Sequence, residues 1–198
     1  KKYNDAICTL SVIINQFDNI DDTRIQLFIA TSHMHIGNII GKYFPVYNTR
    51  WLQFISRFLI PRRVTLCMDE YQLVVNKFKM VNDERIQITV LDALHQQSVI
   101  LTKLHKLRDS CDKDDQIIVL CNTNLKNEGI DHLIRETMMM QLIRALNHKC
   151  NNLIDLKSQH CIQKENNPKQ LNCAIRSFKN ISTINLLMYK TSLNKHIM

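Results

Sequence analysis

The sequence predicts an all-α protein, either an irregular multi-helix bundle or a short α-α superhelix of helical hairpins, with about eight to ten helices. Apolar residues recur at three- and four-residue steps through most of the chain. The 198 residues include only three glycines and three prolines, where average usage would give about 14 and about 10. Sheets and nucleotide-binding α/β folds need glycine turns and glycine-rich phosphate loops, so this composition favours helices joined by Asn, Asp and Ser turns.

The strongest helical pattern covers residues 82–108, and we expect the rest of the fold to pack around it. Its broad apolar stripe contains Ile86, Val90, Leu94, Leu101, Leu104 and Leu107. Asn82 or Asp83 can cap its start, and basic residues fill its last turn, where the helix dipole favours cations.

The same spacing predicts the other helices, in the order 5–17, 21–44, 49–60, 62–80, 128–150, 151–161, 170–178 and 181–197. Pro61 is predicted to end the third helix, and residues 109–115 to form a charged connector. Residues 71–75 and 116–120 are rich in β-branched and aromatic side chains, so a strand stays open as an alternative for both.

The positive charge is concentrated at the end of the chain. The net charge is +8, and residues 156–198 carry seven Lys and Arg residues against one Glu. Residues 163–169, QKENNPK, have the composition of a linker. The sequence therefore predicts a main helical domain over residues 1–162 and a basic C-terminal helical extension over residues 163–198.

A short motif recurs at the start of two predicted helices, as DDTRIQL from Asp21 and NDERIQI from Asn82. Four positions match at an offset of 61 residues: Asp22/Asp83, Arg24/Arg85, Ile25/Ile86 and Gln26/Gln87. Asp114 fits the same phase 31 residues after Asp83, which predicts a capped helix about every 30 residues. An Asp-x-Arg at a helix start resembles the second helix of HEAT repeats, and this resemblance implies a stack of helical hairpins.

A second resemblance lies in the stretch His33-Met34-His35-Ile36-Gly37-Asn38. His-x-Gly-Asn is similar to a phosphate-contacting signature of class I aminoacyl-tRNA synthetases and related nucleotidyltransferases. That resemblance implies a Rossmann-like fold and a nucleotidyl-transferring enzyme that uses His33 and His35. The alternative places the motif inside a helix, with one histidine against the core and the other facing water.

The sequence predicts no metal site, no cofactor and no catalytic residue. His148, Cys150, His160 and Cys161 are possible soft ligands, but their spacing within each pair is tighter than zinc sites use. The seven cysteines are scattered through helical patterns, which is typical of a reducing compartment. We therefore expect an intracellular protein of the cytoplasm or nucleus. No apolar run reaches about 18 residues, so no membrane span is predicted.

Two surfaces are candidates for binding a partner. Basic residues that could contact nucleic-acid phosphates or an acidic partner are Arg57, Arg62, Arg63, Lys169, Arg176, Lys179, Lys190 and Lys195. In the run Met138-Met139-Met140, the first residue fits the core stripe, so Met139 and Met140 form a candidate partner surface.

The favoured function is a non-enzymatic helical scaffold or adaptor subunit that mediates protein–protein interactions in an intracellular assembly. The alternative is a basic nucleic-acid-binding protein associated with a nucleocapsid or with chromatin. A third reading is the nucleotidyl-transferring enzyme that the histidine motif implies.

Overall fold

The structure, a computed structural model, describes residues 2–42, 50–127 and 129–164. These residues form six helices and no strand, which confirms the predicted all-α class. The helices are α1 (Lys2–Phe17), α2 (Thr23–Lys42), α3 (Arg50–Phe78), α4 (Glu84–Lys103), α5 (Leu107–Asn124) and α6 (His132–Lys164). In this part of the chain no helix is long and apolar enough to span a bilayer.

The predicted helix boundaries were wrong in three places. The helix predicted at 82–108 ends at Lys103, and Leu107 and Arg108 belong to α5. Pro61 does not end a helix, because α3 runs through it to Phe78. The segments predicted at 128–150 and 151–161 are likewise one helix, α6. These fusions lower the number of helices, and the two helices predicted beyond residue 169 lie outside the described residues.

The predicted connector at 109–115 and the strand alternatives at 71–75 and 116–120 were also wrong, because all three segments are helical. The connector belongs to α5, whose buried residues recur at helical spacing but include small and polar side chains. They are Leu107, Ser110, Cys111, Asp114, Ile117 and Cys121. A polar residue on the buried face of a helix hides the apolar stripe that sequence patterns depend on.

α4 is the centre of the fold, as its sequence pattern predicted. It packs against α2, α3, α5 and α6. Helices joined by short turns run antiparallel. In α4, Ser98 hydrogen-bonds to Asp114 of α5, and Thr102, one turn later, hydrogen-bonds to Ser110, one turn earlier in α5. α4 and α6 are consequently parallel neighbours, and α2 contacts α4 but neither α5 nor α6.

Aspartate side chains cap the first turns of α2, α4 and α6. Asp22 Oδ1 accepts hydrogen bonds from backbone amides at the start of α2, and Asp83 Oδ1 does the same for α4. Asp131 Oδ1 accepts from the amide of Leu133 at the start of α6. The start predicted at Asp114 was wrong, because that residue lies in the middle of α5.

The core lies mainly between α2, α3 and α4. Its largest fully buried side chains include Tyr71, Phe78, Ile29, Ile86, Leu91 and Leu94. Gly37 of α2 allows the Tyr71 ring to approach the backbone, since a Cβ at that position would lie 2.5 Å from Tyr71 Cε1. The Tyr71 hydroxyl then donates to Asn38 Oδ1 over 2.8 Å.

Candidate functional site

A groove opens where the turn between α3 and α4 meets the second half of α5. We call it the turn groove, and its volume is about 490 Å³. Its lining residues are Lys79, Met80, Val81, Asn82, Gln87, Asp115, Gln116, Val119, Leu120, Thr123 and Asn124.

Gln87 holds the turn side of the groove in place. Its Nε2 donates to the carbonyl oxygens of Phe78 (3.3 Å), Lys79 (3.1 Å) and Val81 (2.6 Å). Phe78 is the last residue of α3, and Lys79 and Val81 lie in the turn that follows, where helix C=O groups lack intrahelical donors. The amide side chain of Gln87 therefore supplies donors to this turn and helps to fix its path, beside the backbone hydrogen bond from the Val81 N–H to the Phe78 carbonyl.

Two polar atoms of groove residues have no hydrogen-bond partner. Gln87 is only 5% exposed, and its Oε1 is buried without a donor. Asn124, at the end of α5, has a buried Nδ2 without an acceptor. An unpaired buried polar group costs about 1–3 kcal/mol, and both atoms are shielded from solvent, so a molecule in the groove would not reach them.

Apolar side chains reach solvent at the same place. Met80 is 89% exposed and Val119 is 65% exposed, while Val81 and Leu120 are half-buried in the lining. Single exposed apolar residues are ordinary on protein surfaces. Here they surround a concave recess, which is the arrangement that ligand and partner sites use.

The lining of the groove contains one lysine, Lys79, and one aspartate, Asp115. Burial lowers the pKa of Lys113, and the positive charge of Lys79 lowers it further. Lys113 Nζ donates to Gln72 Oε1 over 3.2 Å, which is a neutral partner. Among the described residues neither lysine forms an ion pair, because the groove carboxylate Asp115 is paired with Lys149.

A second concentration of polar groups lies inside the molecule, between α4, α5 and α6. We call it the polar cluster; its members are Ser98, Thr102, Ser110, Asp114, His148 and Asn152. His148 Nδ1 lies 3.0 Å from Asp114 Oδ2, and His148 Nε2 lies 3.2 Å from Thr102 Oγ1. The carboxylate also accepts from Ser98 Oγ over 2.7 Å.

The chain of contacts from Asp114 through His148 to Thr102 is an arrangement that could activate a hydroxyl group. The surroundings favour a structural role instead. Ser98, Ser110 and Asp114 are 0% exposed, so a substrate could not reach them while the helices stay packed. Thr102 Oγ1 also contacts Ser110 Oγ and Asn152 Oδ1. A satisfied internal network of this kind fixes the relative positions of three helices.

The histidines of the motif in α2 have separate surroundings. His33 Nδ1 lies 2.7 Å from Glu70 Oε2 of α3, whereas His35 is exposed. This is the helical alternative considered for the motif, with one histidine against a neighbouring helix and one facing water. Gly37 is covered by Tyr71, so its backbone is not open to a phosphate.

The residues predicted to bind partners are placed as follows. Arg62 and Arg63 are exposed on α3, Met139 is half-buried and Met140 is exposed on α6. The side chain of Arg57 lies outside the described residues, as do Lys169, Arg176, Lys179, Lys190 and Lys195. Within the described ranges no three His, Cys, Asp or Glu side chains come together as metal ligands.

The turn groove was not predicted from the sequence. One signal for it existed, because Gln87 belongs to the motif that recurs at Gln26. In α2 the equivalent Gln26 instead donates to Asp21 Oδ1 on the surface. Val119 and Asn124 carried no signal, since the groove forms only when α5 packs beside the turn.

Comparison with known proteins adds no further information about function. No protein-family model, no curated protein and no solved structure matches this chain.

Proposed function

We propose that this chain is a non-enzymatic scaffold or adaptor subunit that binds a segment of a protein partner in the turn groove. The proposal rests on one observation: the exposed apolar side chains Met80 and Val119 line a concave recess. A peptide segment can insert an apolar side chain of its own into such a recess.

The helical framework supports such a role. The groove is built from the turn between α3 and α4, the start of α4 and the second half of α5, and α4 is held by four neighbouring helices. A recess on rigid elements loses little entropy when a partner segment binds, so more of the contact energy appears as affinity.

A selection experiment tests the proposal. The full chain is immobilised and used to select binders from a phage-displayed library of random dodecapeptides. Individual peptides are then titrated against the protein by fluorescence anisotropy. We expect selected peptides to lose at least about tenfold in affinity against Val119→Arg, because a charged side chain would then occupy the apolar rim.

The matched control is Leu133→Arg. Leu133 is 70% exposed on α6 and does not line the groove, so this variant makes the same chemical change elsewhere on the surface. Peptides that bind both variants equally well would contradict the groove assignment, and a failure to select any peptide would contradict the proposed function. RNA binding that falls steeply with salt and is unchanged by Val119→Arg would favour the nucleic-acid alternative.

A further inference from the structure

We infer that two copies of this chain associate through α3, as an antiparallel pair of helices centred on Leu66. The inference goes beyond the proposed function, because no residue of α3 lines the turn groove. It follows from an uncovered side of α3, from leucines in register on that side, and from the order of the charges beside them.

One side of α3 has no neighbour among the described helices. Within that part of the chain, α3 contacts only α2 and α4. Leu66 and Leu73 lie on the uncovered side and are 48% and 49% exposed. Residues seven apart on a helix differ in direction by only about 20°, so the two leucines form a narrow apolar stripe along the helix axis.

The leucine stripe continues in the sequence. Leu52 and Leu59 precede Leu66 at the same seven-residue spacing, and both positions lie within α3. Large apolar residues at heptad spacing are typical of a helix that packs along another helix. An antiparallel pair centred on Leu66 brings position 59 of one copy opposite Leu73 of the other, so leucine faces leucine from position 59 to position 73.

The charges beside the stripe select the antiparallel orientation. Arg62 and Asp69 lie on one flank of Leu66, and Arg63 and Glu70 lie on the other. On each flank the arginine comes about one turn before the leucine and the acid about one turn after it. A two-fold axis through Leu66, perpendicular to both helices, brings each flank against the same flank of the second copy. Each arginine then lies at the level of an acid of that copy.

Other arrangements bring like charges together. In a parallel pair, Arg62 would face Arg63 of the second copy, and Asp69 would face Glu70. In an antiparallel pair shifted by one heptad, with Leu66 opposite Leu73, the acidic residues of the two copies would face each other. Like charges across an interface disfavour an arrangement, so the order of the charges is complementary only about Leu66.

The charged side chains are available for such contacts. Arg62, Arg63 and Asp69 are exposed, and among the described residues they form no ion pair. Glu70 is half-buried and bonded to His33 over 2.7 Å, so the contact between Arg62 and Asp69 carries most of the charge complementarity. The acidic partner considered for the two arginines from the sequence is then a second copy of the chain.

An exchange of charges tests the pairing. Sedimentation equilibrium of the full chain compares the wild type, Arg62→Asp, Asp69→Arg and an equimolar mixture of the two variants. We expect the wild type to dimerise, and each variant alone to dimerise at least about tenfold more weakly, because both of its symmetry-related contacts become like-charged.

The mixture of the two variants should dimerise again, because every contact between residues 62 and 69 then joins opposite charges. Native mass spectrometry identifies the product as a heterodimer by its mass. This recovery is specific to the antiparallel pair, since residue 62 does not face residue 69 in a parallel one. Two variants that stay monomeric when mixed would overturn the inference.

Leu66→Arg tests the leucine stripe. It places two like charges at the two-fold axis, so dimerisation should weaken at least about tenfold. The matched control is Leu133→Arg on α6, a helix that does not contact α3, and this variant should dimerise like the wild type. Both leucines are already exposed, so far-ultraviolet circular dichroism should show unchanged helix content in both variants. Equal dimerisation of the two variants would contradict the stripe as the contact.

The outcomes separate this inference from the proposed function. A wild-type chain that stays monomeric would overturn the pairing and leave peptide binding in the turn groove unaffected. Val119→Arg, which is expected to weaken peptide binding, should leave the dimer unchanged, and loss of the dimer in that variant would overturn the assignment to α3. RNA bound by a monomeric chain and lost in Arg62→Asp would overturn it as well.

Discussion

Replacing Asp114 with alanine should lower the free energy of unfolding by about 3–5 kcal/mol, because two hydrogen-bond partners lose their acceptor at about 1–3 kcal/mol each. Asp114 is 0% exposed, and its two oxygens take hydrogen bonds from Ser98 and His148. Alanine removes both acceptor oxygens, so the buried hydroxyl of Ser98 and the half-buried imidazole of His148 each lose this hydrogen-bond partner. The loss is large beside a total stability of about 5–15 kcal/mol.

Equilibrium unfolding in urea, followed by far-ultraviolet circular dichroism, measures this loss. With a typical slope of about 2 kcal/mol per molar urea, the midpoint should fall by about 1.5–2.5 M. The adjacent Asp115→Ala is the matched control, because Asp115 is half-exposed and pairs with Lys149 on the surface. Surface pairs of this kind contribute about 0–1 kcal/mol.

A double-mutant cycle then tests the coupling directly. The losses for Asp114→Ala and His148→Leu should add to more than the loss measured for the double variant, since each single change already breaks the same contact. If Asp114→Ala costs no more than Asp115→Ala, the reasoning is refuted. Asp114 would then be exchanging its helix partners for water without penalty.

Three other predictions concern Gly37, His95 and the accessibility of two cysteines. Gly37→Ala should lower the thermal midpoint despite the better helix propensity of alanine, about 1 kcal/mol, because displacing the Tyr71 ring costs about 1–3 kcal/mol; an unchanged or higher midpoint would mean that the ring moves freely. Burial, with smaller effects from neighbouring charges, lowers the pKa of His95. The unfolded protein therefore takes up a proton at His95 as the pH falls below about 6.5, which lowers the free energy of unfolding. This loss of stability below about pH 6.5 should be smaller in His95→Gln, as urea midpoints measured on both sides of that pH would show. Exposed Cys8 should react with a thiol reagent in the native protein, whereas Cys121, whose pKa burial raises to about 12, should be labelled only on unfolding, as mass spectrometry would detect.

The sequence was sufficient to predict α4 and its position, because the local signals all agree there. The apolar stripe and the cap at Asp83 indicate the same helix, although Lys103 is the only one of the expected basic residues in its last turn and the predicted end at residue 108 was too late. α5 was mispredicted for the opposite reason. Its buried face includes Ser110 and Asp114, whose partners Asn152 and His148 come from another helix, 42 and 34 residues later. Local pattern carries no information about such partners.

The candidate site was not predictable from the sequence. Met138 is buried, as its place in the core stripe indicated, and its neighbour Met140 is exposed, but neither residue lines the groove. The turn groove depends on two segments about 30 residues apart in sequence, and its unpaired atoms are identified only when the contacts of Gln87 are known. Burial and satisfaction of polar groups are properties of packing, so periodicity alone could not indicate them.

The order in which the helices pack has a consequence for the speed of folding. Every helix of the described part contacts only helices one or two places away along the chain. Loops that must close during folding are therefore short, and short closures cost little chain entropy. A chain arranged in this way can grow outward from α4 by adding one helix at a time on either side, and domains with such local contacts fold within about microseconds to milliseconds.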